Sequence, residues 1–222
     1  MELIFVLIMI GLPIIAQLNV SGTFKKYSSV NNARGLTAER VARQILDSNG
    51  LQHIRIERIS GNLTDHFSPK ENVIRLSDSV YGKTSVAAIG VAAHECGHAC
   101  QHAEHYKPIE IRSAIVPAVN VCSKLWYIVF VIGMIIFDLF PSLIYIGIAM
   151  FGAVVVFQLV TLPTEFNASD RALKTLENNR ILEVNEISQA KKVLTAAAMT
   201  YVTALVTSIM QLLRLLARAN RR

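Results

Sequence analysis

Long apolar stretches alternate with polar segments along the chain, and this alternation predicts an integral membrane protein. Residues 1–20 are apolar for almost their whole length, and ~20 residues suffice for a helix to cross a bilayer. Two further apolar runs, 115–137 and 142–162, are separated only by the short segment FDLFP, which predicts a transmembrane hairpin. A last apolar run, 193–213, is richer in Thr, Ser and Gln, and it either spans the membrane or lies at its interface.

The polar segments between these runs predict a small α+β domain. Residues 21–35 have the composition of a linker, and residues 37–49 have the apolar periodicity of an amphipathic helix. The alternating segment HIRIERIS predicts one strand, and residues 72–76 predict a second. A further helix opens at Thr84 or Ser85, either of which can cap it.

The composition agrees with a membrane protein and argues against other classes. Apolar residues make up 52% of the chain and charged residues 17%, with a mean hydropathy of +0.41. The net charge of +6 comes without any nucleic-acid-binding motif, so we expect no nucleic-acid partner. Cys96, Cys100 and Cys122 are too few for a disulfide scaffold. We interpret Cys96 and Cys100 as buried small residues, with metal ligation as the alternative.

Basic residues near the first three apolar runs predict the orientation of the chain. They share one compartment if these runs span the membrane, and the positive-inside rule makes that compartment the cytoplasm. The last run disagrees, because it would carry four arginines to the outside if it spans. The basic residues near the first three runs are Lys25, Lys26, Lys107, Arg112, Lys174, Arg180, Lys191 and Lys192. The four arginines after the last run are Arg214, Arg218, Arg221 and Arg222.

The segment VAAHECGHACQHAEHY, on the helix that opens near residue 84, holds the strongest candidates for chemistry. His94 and His98 are four residues apart, so they stack on one helix face about 6 Å apart along the axis. Two imidazoles so placed can bind one zinc ion, which lowers the pKa of a water molecule towards ~7. Glu95 lies beside the first histidine and can accept the proton of that water, which predicts a general base.

A catalytic zinc ion needs a third protein ligand and one open position. Glu165, in the segment LPTEFNASDRAL, is our candidate, because the hairpin returns the chain close to where it departed. We expect it to open a new helix, and the alternative is a carboxylate that merely stabilises that helix N-terminus. His102 lies about 12 Å from His94 along the axis, too far for the same ion. We expect His102 either to contact the ligands or the substrate, or to be an ordinary polar residue of the helix. We interpret His105 as an ordinary polar residue.

These residues resemble the YugP-type membrane zinc metallopeptidases of bacteria, a neutral zinc metallopeptidase family. The similarity includes an N-terminal span, an HECGHA-like helix, an apolar hairpin and an LPxEFxAS segment, and it covers nearly the whole chain. It implies a zinc-dependent peptidase of the HExxH-plus-Glu design. HtpX-type and CAAX-prenyl-type membrane proteases are more distantly similar, and their second motif reads Glu-Phe-x-Ala-Asp. Here Ser169 replaces that Asp, so Ser169, Asn167 or Asp170 would orient a ligand histidine, and Arg171 is the nearest candidate for an oxyanion partner.

We therefore expect a mainly α integral membrane protein, with transmembrane helices and a small α+β zincin-like domain of the gluzincin type. The chain divides into five parts. Residues 1–20 form the first transmembrane helix, residues 21–114 the first part of the catalytic domain with the zinc-motif helix, and residues 115–162 the transmembrane hairpin. Residues 163–192 form the second part of the catalytic domain with the third-ligand helix, and residues 193–222 the C-terminal helix.

The expected function is a membrane-anchored endopeptidase that cleaves membrane-associated or misfolded proteins. Zn²⁺ would be bound by His94, His98 and Glu165 at the cytoplasmic face of the bacterial plasma membrane. The expected partners are a protein or peptide substrate and the lipid bilayer, with membrane partner proteins or a homo-oligomer as further options.

Residues 72–77 are our candidate for an edge strand that pairs with the substrate backbone. Asp65 and His66 either reach the cleft or serve as a turn cap and a surface histidine. Two alternative functions stay open at this point: a site-2-type intramembrane protease, and a non-catalytic membrane scaffold with structural zinc. The apolar stretch before His94 is short of a full membrane span, which argues against the first.

Overall fold

The computed structural model of the chain describes residues 2–220, with side chains from residue 5 onward. Arg221 and Arg222, two of the arginines at the C-terminus, lie outside the described residues. The described part forms six helices and three strands. In chain order they are α1 (Glu2–Ser28), α2 (Ala38–Ser48), β1 (Arg55–Ile59), β2 (His66–Ser68), β3 (Val73–Ser77), α3 (Val86–Ala103), α4 (Lys107–Ile135), α5 (Ser142–Asn178) and α6 (Val184–Ala219).

The predicted fold class, mainly helical with a small sheet, is confirmed. Four helices are long and apolar enough to cross a membrane, namely Phe5–Ser28, Lys107–Ile135, Ser142–Asn178 and Val184–Ala219. The three strands form one sheet in the order β1-β3-β2. The chain divides into two compact units. One, here the membrane unit, comprises the residues up to Ile15, Lys107–Pro163 and the residues from Thr200; the other, here the site unit, comprises Ala16–Tyr106 and Thr164–Met199.

The long helices extend beyond the apolar runs from which they were predicted. Helix α1 runs to Ser28, so the first half of the predicted linker 21–35 is helical. Helix α5 continues through Pro163, although proline cannot donate the helical hydrogen bond, and such prolines are tolerated in membrane helices. Glu165 therefore does not open a helix, and the alternative role of stabilising a helix N-terminus is wrong, because the dipole acts only in the first turn.

Small residues allow the helices of the hairpin in the membrane unit to pack closely. A Cβ atom on Gly133 of α4 would lie 2.7 Å from the backbone nitrogen of Ile144 in α5. A Cβ atom on Gly147 of α5 would lie 2.8 Å from the backbone nitrogen of Phe130 in α4. Association of helices in a membrane depends on such close packing, since lipid tails are as apolar as the side chains.

The C-terminal part of α6 belongs to the membrane unit. The Arg214 guanidinium lies over the Phe5 ring, 5.6 Å from its centroid, so this part of α6 lies beside the start of α1. Together with the length and apolarity of α6, this contact favours the spanning alternative over an interfacial helix.

The site unit has its own apolar core, built from α2, the sheet, α3 and the polar ends of α5 and α6. The strands predicted near residues 54–57 and 72–76 are β1 and β3, which pair in parallel. Strand β2, which the sequence analysis missed, pairs antiparallel with β3 on its other side. The largest fully buried side chains of this core are Ile45, Leu46, Ile74, Leu76, Ile89 and Leu176.

Strand β3 is central, so the prediction that residues 72–77 form an edge strand is wrong. Strand β3 pairs with β1 along its whole length and with β2 at residues 73–75, so it lies between two strands and does not offer a free edge along residues 72–77. The edges of the sheet, as far as the described residues extend, are β1 and β2. Helix α3 then follows β3, and Ser85 rather than Thr84 caps it by accepting a hydrogen bond from the backbone nitrogen of Ala88, at 3.3 Å.

The glycine contact in the hairpin predicts a specific destabilisation. We expect Gly133→Ala to lower the stability of the full-length protein by about 1–3 kcal/mol, the usual cost of overpacking. Gly152→Ala is the matched control, because no atom lies within 4 Å of the added methyl group. The midpoint of thermal unfolding in detergent measures both variants. Equal midpoints for the two would contradict the proposed packing of α4 against α5.

Candidate metal centre

The motif helix α3 and the polar end of α5 meet at Gly97 and Ala168. A Cβ atom on Gly97 would lie 2.5 Å from the carbonyl oxygen of Ala168 and 3.1 Å from its carbonyl carbon and Cα. These are backbone atoms, which cannot turn aside as a flexible side chain can. Only glycine therefore allows this distance between the helices, and it brings the face of α3 that carries His94 and His98 close to Glu165.

Three potential ligand atoms converge at this contact. The ligand atoms of His94, His98 and Glu165 all lie within 4.8 Å of one another. Glu165 Oε2 is 3.3 Å from His94 Nε2 and 3.5 Å from His98 Nε2, and the carboxylate is buried. The predicted third ligand is thus next to the two predicted histidines.

The spacing of these atoms fits a zinc ion better than direct hydrogen bonds. A charge-assisted hydrogen bond from an imidazole to a carboxylate is about 2.7–2.9 Å long. Tetrahedral zinc with ligands at about 2.0–2.1 Å separates those ligands by about 3.3–3.4 Å. The two observed separations, 3.3 and 3.5 Å, are closer to those expected for ligands of one zinc ion than to the length of such a hydrogen bond. Two imidazoles and one carboxylate are also a donor set that zinc accepts in catalytic sites.

The second nitrogen of each imidazole is held by a polar side chain. His94 Nδ1 lies 3.1 Å from the Ser169 hydroxyl, and His98 Nδ1 lies 3.0 Å from Gln101 Oε1. Because Nε2 faces the other ligands, each Nδ1–H donates to its partner, and this fixes the tautomer and the ring orientation. Among the three candidates for orienting a histidine, Ser169 is the one in contact, while Asp170 pairs with Lys174 at 2.7 Å.

Gln101 connects the second histidine to a buried polar network. Its side chain is fully buried, and Nε2 donates to the carbonyl oxygen of Thr164 at 2.8 Å and to Asn167 Oδ1 at 2.9 Å. Arg171 donates from Nε to the same Asn167 oxygen at 2.8 Å and forms an ion pair with Glu104 at 2.7 Å. Arg171, our candidate oxyanion partner, is therefore engaged in positioning this network. Gln101 was missed, although its place three residues after His98 on a helix is a signal that could have found it.

Glu95 is a nearly buried carboxylate beside the cluster. It is 8% exposed, and among residues 2–220 no side chain or backbone group donates a hydrogen bond to its carboxylate or forms an ion pair with it. An unpartnered carboxylate at this depth is costly unless water or an ion satisfies it. Its charge nevertheless acts on three neighbours, since it contributes to raising the pKa values of His98, Asp65 and Cys96.

The pKa of His98 is raised by the carboxylates that surround it. Burial alone would lower this pKa, but the Glu165 carboxylate 3.5 Å from Nε2 and the charge of Glu95 outweigh burial. A metal ion must displace the proton that these carboxylates attract. Metal binding at this centre is therefore expected to weaken as the pH falls.

Asp65 forms hydrogen bonds to the last residue of β3, and its two predicted alternatives, a turn cap or a residue that reaches the cleft, stay predictions. Its carboxylate accepts hydrogen bonds from the Ser77 backbone nitrogen at 2.7 Å and from the Ser77 hydroxyl at 2.9 Å. Burial raises the pKa of Asp65, the Ser77 hydrogen bonds oppose this, and the charge of Glu95 adds to it. His66 is the first residue of β2, with Nδ1 2.9 Å from the carbonyl oxygen of Thr64 in the preceding turn.

The remaining candidates on α3 lie outside the cluster. His102 is exposed, and its ring contacts the edge of the Phe67 ring in β2 at 6.0 Å. Cys96 is fully buried and points its thiol at the carbonyl oxygen of Ala42, and burial raises the pKa of both the Cys96 and Cys100 thiols. The interpretation of the two cysteines as buried small residues therefore agrees with the structure, and neither belongs to the ligand cluster.

Comparison with known proteins identifies the class that this centre suggests. The sequence profile of the family described as "Putative neutral zinc metallopeptidase" matches residues 2–220, and the chain belongs to this family. The protein described as "Putative membrane protease YugP" of Bacillus subtilis (strain 168) is 45% identical over 205 residues, which cover 92% of this chain and 90% of that protein. No solved structure matches the chain. The predicted resemblance and the enzyme class, a zinc metallopeptidase, are confirmed.

The close approach at Gly97 predicts that this residue controls metal content. We expect Gly97→Ala to separate the helices and to lower the zinc bound per protein chain well below that of the native protein. Gly90→Ala is the matched control on the same helix, because its added methyl group would meet Ala190 only at 3.5 Å, an ordinary contact. Elemental analysis of both purified variants measures the outcome. Full zinc content in Gly97→Ala would refute this role of the glycine.

Proposed function

We propose that the chain is a membrane-anchored zinc endopeptidase that hydrolyses peptide bonds of membrane-associated or misfolded proteins. In this proposal His94, His98 and Glu165 hold the zinc ion, and Glu95 is the general base. The observation that carries the proposal is the unpartnered, 8% exposed carboxylate of Glu95, which follows His94 in the chain and whose charge helps to raise the pKa of His98, next to three convergent ligand atoms. A carboxylate in this position is free to accept a proton from water.

Three protein ligands leave one coordination position open, as catalytic zinc sites require. When bound, zinc supplies Lewis acidity, which polarises a carbonyl group and lowers the pKa of water to ~7. A structural zinc site would instead be closed by a fourth protein ligand. Among the described residues no fourth His, Cys, Asp or Glu joins the group, which supports the catalytic alternative.

The side chains around the centre can perform a complete hydrolytic cycle. Glu95 accepts a proton from the attacking water as the new carbon–oxygen bond forms at the scissile carbonyl. When the carbon–nitrogen bond breaks, Glu95 returns this proton to the leaving amine, so the carboxylate is regenerated. Ser169 and Gln101 keep the two imidazoles in orientation throughout, because their hydrogen bonds to Nδ1 do not depend on substrate.

Strand β2 is the proposed docking edge for the substrate backbone. It pairs on one side with β3, and on its other side no strand of the described chain pairs with it. Its residue Phe67 contacts His102 on the motif helix, so this edge lies beside α3. An extended peptide added to this edge would gain main-chain hydrogen bonds next to the centre. This replaces the earlier candidate, residues 72–77.

The centre is proposed to face the cytoplasm of a bacterial plasma membrane. Lys25 and Lys26 lie in the last turn of α1, Lys107 begins α4, and Lys174 lies near the end of α5. The positive-inside rule assigns such basic helix ends to the cytoplasmic side. The motif helix α3 is not among the four helices long and apolar enough to span a membrane, which argues against a site-2-type protease.

The role of Glu95 has a direct test. We expect Glu95→Gln to keep its zinc but to lose at least about 10²-fold in the cleavage of unfolded casein, because the amide cannot accept the proton. Glu177→Gln, at an exposed position of the same unit, is the matched control and should cleave at the native rate. Zinc content and peptidase rate are measured on the same samples.

The paired readout separates the alternatives. Native-level cleavage by zinc-loaded Glu95→Gln would refute the general-base role. A native protein that holds zinc but cleaves neither casein nor membrane protein substrates would instead favour the non-catalytic scaffold.

A further inference from the structure

We propose that a groove between α1 and α6 binds the headgroup of an anionic phospholipid of the surrounding membrane. This lysine groove is a cavity of about 470 Å³ within the site unit, and it is independent of the metal centre. Its lining includes Thr23, Lys26, Lys191, Lys192, Thr195 and Met199.

Three lysines without an ion-pair partner line the lysine groove, and the ammonium group of Lys26 also lies 5.5 Å from the centroid of the Tyr27 ring. The side chains of Lys26, Lys191 and Lys192 are exposed, and no residue of the described chain forms an ion pair with any of them. None of the ten residues that line the groove is Asp or Glu. Like charges so close together repel one another, and a bound anion would relieve this repulsion. The charge of the groove therefore fits a phosphate group.

The groove changes in character along its length. Helix α1 contributes Thr23 and Lys26, three residues apart, while α6 contributes Lys191, Thr195 and Met199 from one helix face. With a rise of 1.5 Å per residue, Met199 lies about 12 Å along α6 from Lys191. Lysines at one end, hydroxyl groups between and an apolar side chain at the other end match the headgroup, glycerol and first acyl carbons of a phospholipid.

The two helices that form the groove are both candidates for crossing the membrane. They pack together within the site unit, since Tyr27 of α1 and Val193 of α6 belong to one apolar cluster with Ala87 of α3. In α1 the lysines lie in the last turn, after the apolar stretch that makes Phe5–Ser28 a candidate span. The groove therefore begins where the apolar part of α1 ends, the level at which a bilayer holds its phosphate groups. Basic pockets between membrane helices are known to select anionic lipids.

The expected effect of the lysines can be stated as a change in affinity. A lysine near an anionic membrane surface contributes about 1 kcal/mol, which corresponds to about fivefold in affinity. The loss of all three should therefore weaken lipid binding by on the order of tenfold to hundredfold.

The experiment uses the full-length, zinc-loaded protein in a neutral detergent. It is titrated separately with water-soluble dihexanoyl phosphatidylglycerol, dihexanoyl phosphatidylcholine and glycerol 3-phosphate. The midpoint of thermal unfolding gives the apparent affinity, and native mass spectrometry counts the bound molecules. We expect saturable stabilisation by phosphatidylglycerol alone.

The variant Lys26→Gln/Lys191→Gln/Lys192→Gln should lose this response, and replacement of the same three lysines by arginine should retain it. A second triple variant, Lys70→Gln/Lys83→Gln/Lys174→Gln, removes the same charge elsewhere in the site unit and should respond as the native protein does. An equal response to phosphatidylcholine, or an unchanged response of the first variant, would overturn the proposal. An equal response to glycerol 3-phosphate would identify a site for free phosphate esters and would likewise overturn the lipid assignment.

Discussion

The contact between Gly97 and the Ala168 backbone is the constraint on which the metal centre depends. The proposed ligands come from two helices, α3 and α5, and the separation of the helix backbones decides whether the imidazole and carboxylate atoms can share one ion. A Cβ atom at position 97 would approach the Ala168 carbonyl oxygen to 2.5 Å, so the helices would have to move apart. The separations of 3.3 and 3.5 Å between Glu165 and the two histidines leave little tolerance for such a shift. The glycine in HECGH is thus as much a part of the centre as the ligands.

The HECGH segment of α3 and the LPTEFNASDRAL segment of α5 both contribute to the hydrogen bonds that surround the centre. On α5, Glu165 supplies the carboxylate and Ser169, one turn later, accepts the hydrogen bond from His94. On α3, Gln101 accepts the hydrogen bond from His98 and donates two hydrogen bonds to α5 through Thr164 and Asn167. These bonds tie the helices together on either side of the glycine contact and satisfy buried polar groups at the same time. The acceptor that Ser169 offers to His94 is a neutral hydroxyl group.

The sequence predicts those parts of the site that follow from local geometry. His94, Glu95 and His98 follow from helical spacing alone, and Glu165 follows from the return of the chain through a hairpin. The continuation of α5 through Pro163 was not predicted, because the local preference of proline is overridden in a long membrane helix. Strand β2 was missed because it has three residues, and its place at the edge depends on pairing with β3. Residues 72–77 were predicted as an edge strand, but they form the central strand because β2 pairs with them on the side opposite to β1.

X-ray absorption spectroscopy at the zinc edge can detect a zinc site of two imidazoles and one carboxylate. For the zinc-loaded native protein we expect only nitrogen and oxygen ligands, at about 2.0–2.2 Å, with two imidazoles among them. The variant Glu165→Ala should lose one oxygen ligand or the metal itself. A zinc–sulfur shell at about 2.3 Å, which only a cysteine such as Cys96 or Cys100 could supply, would contradict the account. So would a first shell that Glu165→Ala leaves unchanged.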